Sequence, residues 1–196
     1  ERYLKNDPQR PFINCEYMHA MGNSLGGMSE YTALEDKYPM YQGGFIWDYI
    51  DQGLRTVAPN GQERFAYGGD FGDKPCDWQF IGNGIVLADR TPSAKTQDVR
   101  YLYRDVFLKP GKTGVTVWNR KLFAPLTGYA VRWTVECDMK PVKAGEIMLP
   151  EKPPGESKHI SLPYGKLPTE GQVVLTCYLV LREDTGILPA GTILSH

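Results

Sequence analysis

The chain has only four cysteines, Cys15, Cys76, Cys137 and Cys177, and no two are close enough in sequence to form a CxxC pair. That excludes a zinc-knuckle or thioredoxin-like signature. A chain of 196 residues can bury a core without cross-links, and Cys137 and Cys177 fall at apolar strand positions, so reduced, buried thiols are expected. No stretch approaches the roughly 18 uninterrupted apolar residues of a membrane span. The charges nearly cancel, to a formal net of -1, leaving no electrostatic case for nucleic acid or an anionic membrane as partner. There is no P-loop, no dinucleotide fingerprint, no internal repeat and no low-complexity tract. The chain also begins without an initiator Met or a signal-peptide pattern, and is expected to be a piece of a longer protein; the compartment is not readable from it.

What is present is aromatic, with 12 Tyr and 4 Trp, a composition that suits sugar rings as well as protein cores. Phe12, Ile13 and Cys15 form a short apolar run that predicts a buried strand, with Glu16 emerging at its end. A rigid, partly desolvated carboxylate there suits attack on, or stabilisation of, a positive centre; a strand-ending Glu paired with an Arg is the plainer alternative. Gly22, Asn23, Gly26 and Gly27 follow as a tight loop, and Met28, Tyr31, Leu34 and Tyr38 then recur at helical spacing until Pro39, which predicts a helix over 27–37 with one buried stripe. Residues 42–49 read as a second buried strand centred on Phe45, Ile46 and Trp47. Strand, helix, strand is a βαβ unit, which favours a parallel sheet or barrel with chemistry at the C-terminal strand ends. A complete barrel needs about 250 residues, so only part of one fits here. Residues 53–64 carry a turn at Ala58-Pro59-Asn60-Gly61, and 65–95 read as ordered loop.

From about Val99 the pattern becomes alternation. Tyr129, Val131, Trp133, Val135 and Cys137 repeat every second residue, as do Val173, Leu175, Cys177, Leu179 and Leu181. With shorter runs at 115–118, 146–149 and 159–162, this predicts an antiparallel β-sandwich. The expected fold class is therefore α/β plus all-β, divided into residues 1–100 and 101–196.

The blocks from Phe12 to Asn23, Gly43-Gly44-Phe45-Ile46-Trp47-Asp48-Tyr49-Ile50-Asp51-Gln52, Tyr67 to Asp73, Gln79-Phe80-Ile81-Gly82-Asn83-Gly84 and Ala88-Asp89-Arg90-Thr91-Pro92 together resemble the glycoside hydrolase family 2 β-galactosidases. The resemblance covers the first half well and the second half loosely. It implies the C-terminal part of a (β/α)8 TIM barrel followed by a β-sandwich domain, and a retaining hydrolase of terminal β-galactosides. Glu16 would be the nucleophile, His19 would line the galactosyl pocket and Trp47 would form its floor. Phe80 and Asn83 would bind a sodium ion through a backbone carbonyl and a side-chain oxygen, with Asn83 beside the sugar. Magnesium ligands would lie upstream, outside this chain.

From the residues alone, the favoured readings are a structural histidine for His19, core aromatics for Trp47 and Phe80, and a turn for Asn83-Gly84. Tyr67 and Arg90 are further candidates for the floor of the site. Retaining hydrolysis needs two carboxyl groups about 5 to 5.5 Å apart. The family's acid/base Glu sits in an Asn-Glu dipeptide, and none occurs here, so the 196 residues alone are expected to be inactive. The resemblance further implies a bacterial enzyme of the cytoplasm or periplasm and a homo-oligomeric full-length protein. A β-glucuronidase or β-mannosidase of the same family, and a non-catalytic carbohydrate-binding or support module, are the alternatives. The acidic residues Asp48, Asp51, Asp70, Asp73 and Asp77 do not have EF-hand spacing and are expected to cap turns.

Overall fold

Between Phe12 and Ile46 the chain builds one strand–helix–strand crossover. In a computed structural model describing residues 1–196, β1 (Phe12–Tyr17) and β2 (Tyr41–Ile46) pair in parallel, with Phe12 opposite Tyr41, Asn14 opposite Gly44 and Tyr17 opposite Ile46. The connection is α1 (Met28–Lys37), because parallel neighbours cannot be joined by a tight turn. Tyr38, held extended ahead of Pro39, ends the helix. Of the predicted stripe only Met28 is fully buried, where it packs with Ala20, Leu25, Ile85 and Val99.

The two strands are less buried than their apolar runs predict. Phe12, Ile13, Phe45 and Trp47 are all exposed, and Tyr17 is the buried residue of β1. Two parallel strands under short helices cannot bury both faces and both edges, whereas the continuous apolar pattern is that of a strand covered all round. Cys15 is likewise exposed; all four cysteines are free, and of them only Cys177 is fully buried.

Residues 53–64 hold more than a turn. β3 (Leu54–Val57) and β4 (Glu63–Ala66) form an antiparallel hairpin around Asn60-Gly61, with Leu54 opposite Ala66. A short 3-10 turn covers Trp78–Ile81, and Val86 then bridges in parallel to Ile50, adding a third parallel segment after β2. Alternation is expected from about Val99, but Val99 lies in a second helix, α2 (Lys95–Leu102), and the next strand starts only at Val106; with Val99 its one buried residue, the helix leaves little periodic signal.

The chain forms two compact units, Glu1–Tyr103 and Arg104–His196. The second contains two antiparallel sheets. β5 (Val106–Gly111), β6 (Gly114–Asn119) and β9 (Ser157–Ser161) form one, in the order β5-β6-β9. β7 (Tyr129–Cys137), β8 (Lys140–Met148), β10 (Val173–Leu181) and β11 (Ile193–Ser195) form the other, in the order β11-β10-β7-β8. The alternating residues do what their period requires: Val115 and Val117 of β6 share one core with Val131, Trp133 and Val135 of β7 and with Leu179 of β10. β7 and β10 pair without a bulge from Cys137 opposite Val173 to Tyr129 opposite Leu181.

Candidate active site

Glu16 is the second-last residue of β1, and its carboxylate extends into solvent with about half of the side chain exposed. Glu16 is therefore only half covered in this chain, for the same reason that β1 is uncovered. Beside it is His19, whose Nε2 lies 3.8 Å from Glu16 Oε1. The imidazole of His19 in turn meets the ring of Phe80 edge to face, with centroids 6.4 Å apart.

Phe80 and Asn83 are joined directly: the Asn83 Nδ2 donates to the Phe80 carbonyl at 2.5 Å. Asn83 is almost fully buried, and its Oδ1 has no hydrogen-bond partner. Its own carbonyl accepts the backbone N–H of Asp48 at 2.7 Å, which ties the turn to the end of β2. Trp47 sits at that end. Its N–H donates to the Tyr17 carbonyl at 3.2 Å and its carbonyl accepts from Ala20 N at 2.6 Å, and the Trp47–Asp48 peptide is cis. The five predicted residues thus lie on one connected arc at the C-terminal ends of two parallel strands. Glu16 and His19 come from β1 and the segment after it, Trp47 from the end of β2, and Phe80 and Asn83 from the 3-10 turn and the residues following it.

Supporting contacts hold this arc. Asp51 Oδ1 accepts the Gly84 N–H at 2.7 Å, and a Cβ at Gly84 would collide with the backbone of Asp51 and Val86, so no larger residue lets the Asn83 turn close against β2's extension. Lys95 Nζ donates to the Ala20 carbonyl and, at 3.3 Å, to that of Gly22, anchoring the loop that follows Glu16. The hydroxyls of Tyr17 and Tyr103 are 2.5 Å apart, and burial pushes the Tyr17 phenol above its usual range. Nothing local in the sequence marks Lys95 or Tyr103, because each acts on a partner more than seventy residues away.

Within the acidic cluster Asp48, Asp51, Asp70 and Asp73 accept turn hydrogen bonds, whereas Asp77, at the start of the 3-10 turn, makes no side-chain capping bond. Asp48 accepts from Tyr49 N and Gln52 Nε2, Asp70 from Tyr67 N while pairing with Arg64, and Asp73 from Gly69 N. No three His, Cys, Asp or Glu side chains converge as metal ligands, so these residues alone do not fit a magnesium ion. For a monovalent cation the chain offers one buried, unpartnered oxygen, Asn83 Oδ1, while the Phe80 carbonyl accepts from Asn83 Nδ2, so these residues supply only part of the several oxygens that a hard cation requires. Tyr67 is exposed, and Arg90 lines a separate cleft with Arg55, Glu63, Arg64 and Phe65. Residues 22–26 spell G-x-S-x-G, but they lie in a long loop rather than a tight strand-to-helix turn, and the buried Ser24 hydroxyl has no partner to act as its base.

Residues 1–108 match the family description "Glycosyl hydrolases family 2, TIM barrel domain". The chain belongs to this family. Residues 115–196 match "Beta-galactosidase, domain 4". The β-galactosidase of Clostridium acetobutylicum is 51% identical over 185 residues, covering 94% of this chain and 20% of that protein. The β-galactosidase of Halalkalibacterium halodurans is 59% identical over 135 residues, covering 69% of this chain and 13% of its own length. The "Beta-galactosidase large subunit" of Leuconostoc lactis is 58% identical over 102 residues, which is 52% of this chain and 16% of that one. The family 2 chain therefore spans about a fifth or less of the length of these curated relatives. Its β1–α1–β2 crossover, with the parallel segment at Val86, falls inside the stretch matched to the family's barrel. No helix in it is long and apolar enough to cross a membrane.

Proposed function

We propose that these residues supply the nucleophile and part of the sugar-binding wall of a retaining β-galactosidase, as the last part of its catalytic barrel and the sandwich domain that follows. The observation that carries this reading is the arc of Glu16, His19, Trp47, Phe80 and Asn83 at parallel strand ends within the segment matched to the family 2 barrel. The names of the relatives supply the sugar.

In this reading a Glu16 carboxylate oxygen bonds to the anomeric carbon as the bond from that carbon to the aglycone oxygen breaks. A second carboxylic acid, outside these residues, protonates the departing oxygen. Water then attacks the same carbon, its proton passes to the second carboxylate, and Glu16 leaves as the free carboxylate, so two inversions give net retention. His19, held beside Glu16, donates to a sugar hydroxyl, and the Trp47 indole stacks on the apolar face of the ring. Asn83 Oδ1 and the Phe80 carbonyl would hold a sodium ion, which when bound would supply positive charge to a sugar hydroxyl. Magnesium, if the whole enzyme uses it, takes its ligands from elsewhere. The whole protein is a homo-oligomer in this account.

The test is kinetic and uses the whole protein. It should turn over an aryl β-galactoside in preference to the corresponding β-glucuronide and β-mannoside. Glu16→Gln should lower kcat by about 10⁴-fold or more while leaving the protein folded. A variant rate within about tenfold of the original would contradict the assignment.

A further inference from the structure

Lys95, the first residue of α2, has a root and a tip that are fastened to different parts of the arc. At the root, the Ile85 carbonyl accepts three donors from the start of the helix: the Ser93 N–H at 3.2 Å, the Ser93 hydroxyl at 2.7 Å and the Thr96 hydroxyl at 2.7 Å. Ile85 N–H in turn donates to the Asp48 carbonyl at 3.0 Å, so the helix start is fixed to the chain that leaves β2 directly after Trp47. At the tip, Lys95 Nζ donates to the Ala20 carbonyl and, at 3.3 Å, to that of Gly22. Ala20 is fully buried and follows His19, and its own N–H donates to the Trp47 carbonyl at 2.6 Å. The residue after His19 is therefore gripped from two sides, by the end of β2 through its N–H and by Lys95 through its carbonyl.

A lysine suits this task. Its compact ammonium carries three donors, and a point charge can satisfy two carbonyls that stand two residues apart, through charge-assisted bonds stronger than neutral ones. The segment it holds needs such a grip, because Gly22 sits at φ 62° and begins a glycine-rich loop with little stiffness of its own. We infer that Lys95 is a positioning residue for His19. By clamping the Ala20 and Gly22 carbonyls it fixes the backbone on which the imidazole stands, beside Glu16 and edge to face on Phe80, and so fixes the direction in which His19 donates to the sugar. The inference rests on the galactosidase reading above.

The experiment is a double-substitution cycle in the whole protein, read as kcat/KM on an aryl β-galactoside. Lys95→Met keeps the length and the apolar stem but removes the charge and the donors, and should lower kcat/KM roughly 10-fold, within what a misplacement below 1 Å costs. In a His19→Ala background there is no imidazole left to misplace, and the same substitution should cost less than about 2-fold. Lys95→Arg, which keeps a cationic donor, should recover part of the lost rate. If Lys95→Met loses the fold, as circular dichroism and a thermal melt would show, Lys95→Gln takes its place in the cycle under the same criteria. Losses that multiply in the double variant, a Lys95→Met rate equal to the original, or a Lys95→Arg variant no better than Lys95→Met would each overturn the inference while leaving the galactosidase reading standing. A His19→Ala protein as active as the original would overturn it together with the role given to His19. An original protein inactive on the galactoside would overturn the inference and the galactosidase reading together.

Discussion

Asn83 is almost fully buried with an unpaired oxygen, a state that ordinarily costs about 1–3 kcal/mol unless a partner arrives. A cation bound at Oδ1 and the Phe80 carbonyl would remove that cost, which gives the residue a testable signature. Replacing sodium by a non-coordinating cation such as choline should raise KM for the galactoside in the whole protein with little change in kcat. Asn83→Ala should raise KM in sodium and abolish the difference between the two salts. A variant whose KM still responds to sodium as the original does would show that the ion binds elsewhere. Asn83, Phe80 and His19 were legible in the sequence only through the resemblance, because taken singly each has an ordinary structural reading. Their convergence depends on His19 and Phe80 meeting across sixty residues, which no local pattern encodes.

At the scale of the element, legibility followed the strength of the period. β7 and β10 are long, alternate cleanly and are read from the sequence almost to the residue, and α1 is announced by its loop glycines and stopped by Pro39. β8 is different, since its first half is exposed and polar and only its later residues carry an apolar signal. α2 buries one residue and β11 has three, too little for any pattern. β1 and β2 are less buried than their apolar runs predict because an apolar run reports what a strand needs, not what a given stretch of chain supplies. β8 nevertheless carries a specific constraint. Gly145 lies directly opposite Trp133 of β7, and a Cβ there would approach Trp133 Cζ2 to 2.6 Å. Trp133 is buried and packed edge to face on Tyr164, so it has little freedom to yield. Gly145→Ala should therefore destabilise the second unit by about 1–3 kcal/mol, in spite of the better strand propensity of alanine. Urea titration should show a lower midpoint at unchanged slope; a midpoint equal to the original's would mean that the indole relocates freely.

For the whole molecule, the decisive fact is that the chain spans a fifth or less of its relatives' length, while the chemistry proposed for it needs two carboxyl groups. One of these, Glu16, stands at the open end of a strand with its surroundings incomplete. The exposure of Glu16 and Trp47 is coherent with a site whose remaining wall belongs to the rest of the protein. The central claim is that Glu16 forms the covalent bond to the sugar. A 2-deoxy-2-fluoro-β-galactosyl fluoride forms the glycosyl-enzyme but slows its hydrolysis, because the electron-withdrawing fluorine destabilises the oxocarbenium-like transition state. Treating the whole protein with it and locating the label by mass spectrometry of proteolytic peptides tests the claim directly. The account predicts one label per chain, on the peptide containing Glu16 and absent from Glu16→Gln. A stable label on any other carboxylate, or inactivation without a label on that peptide, would contradict it.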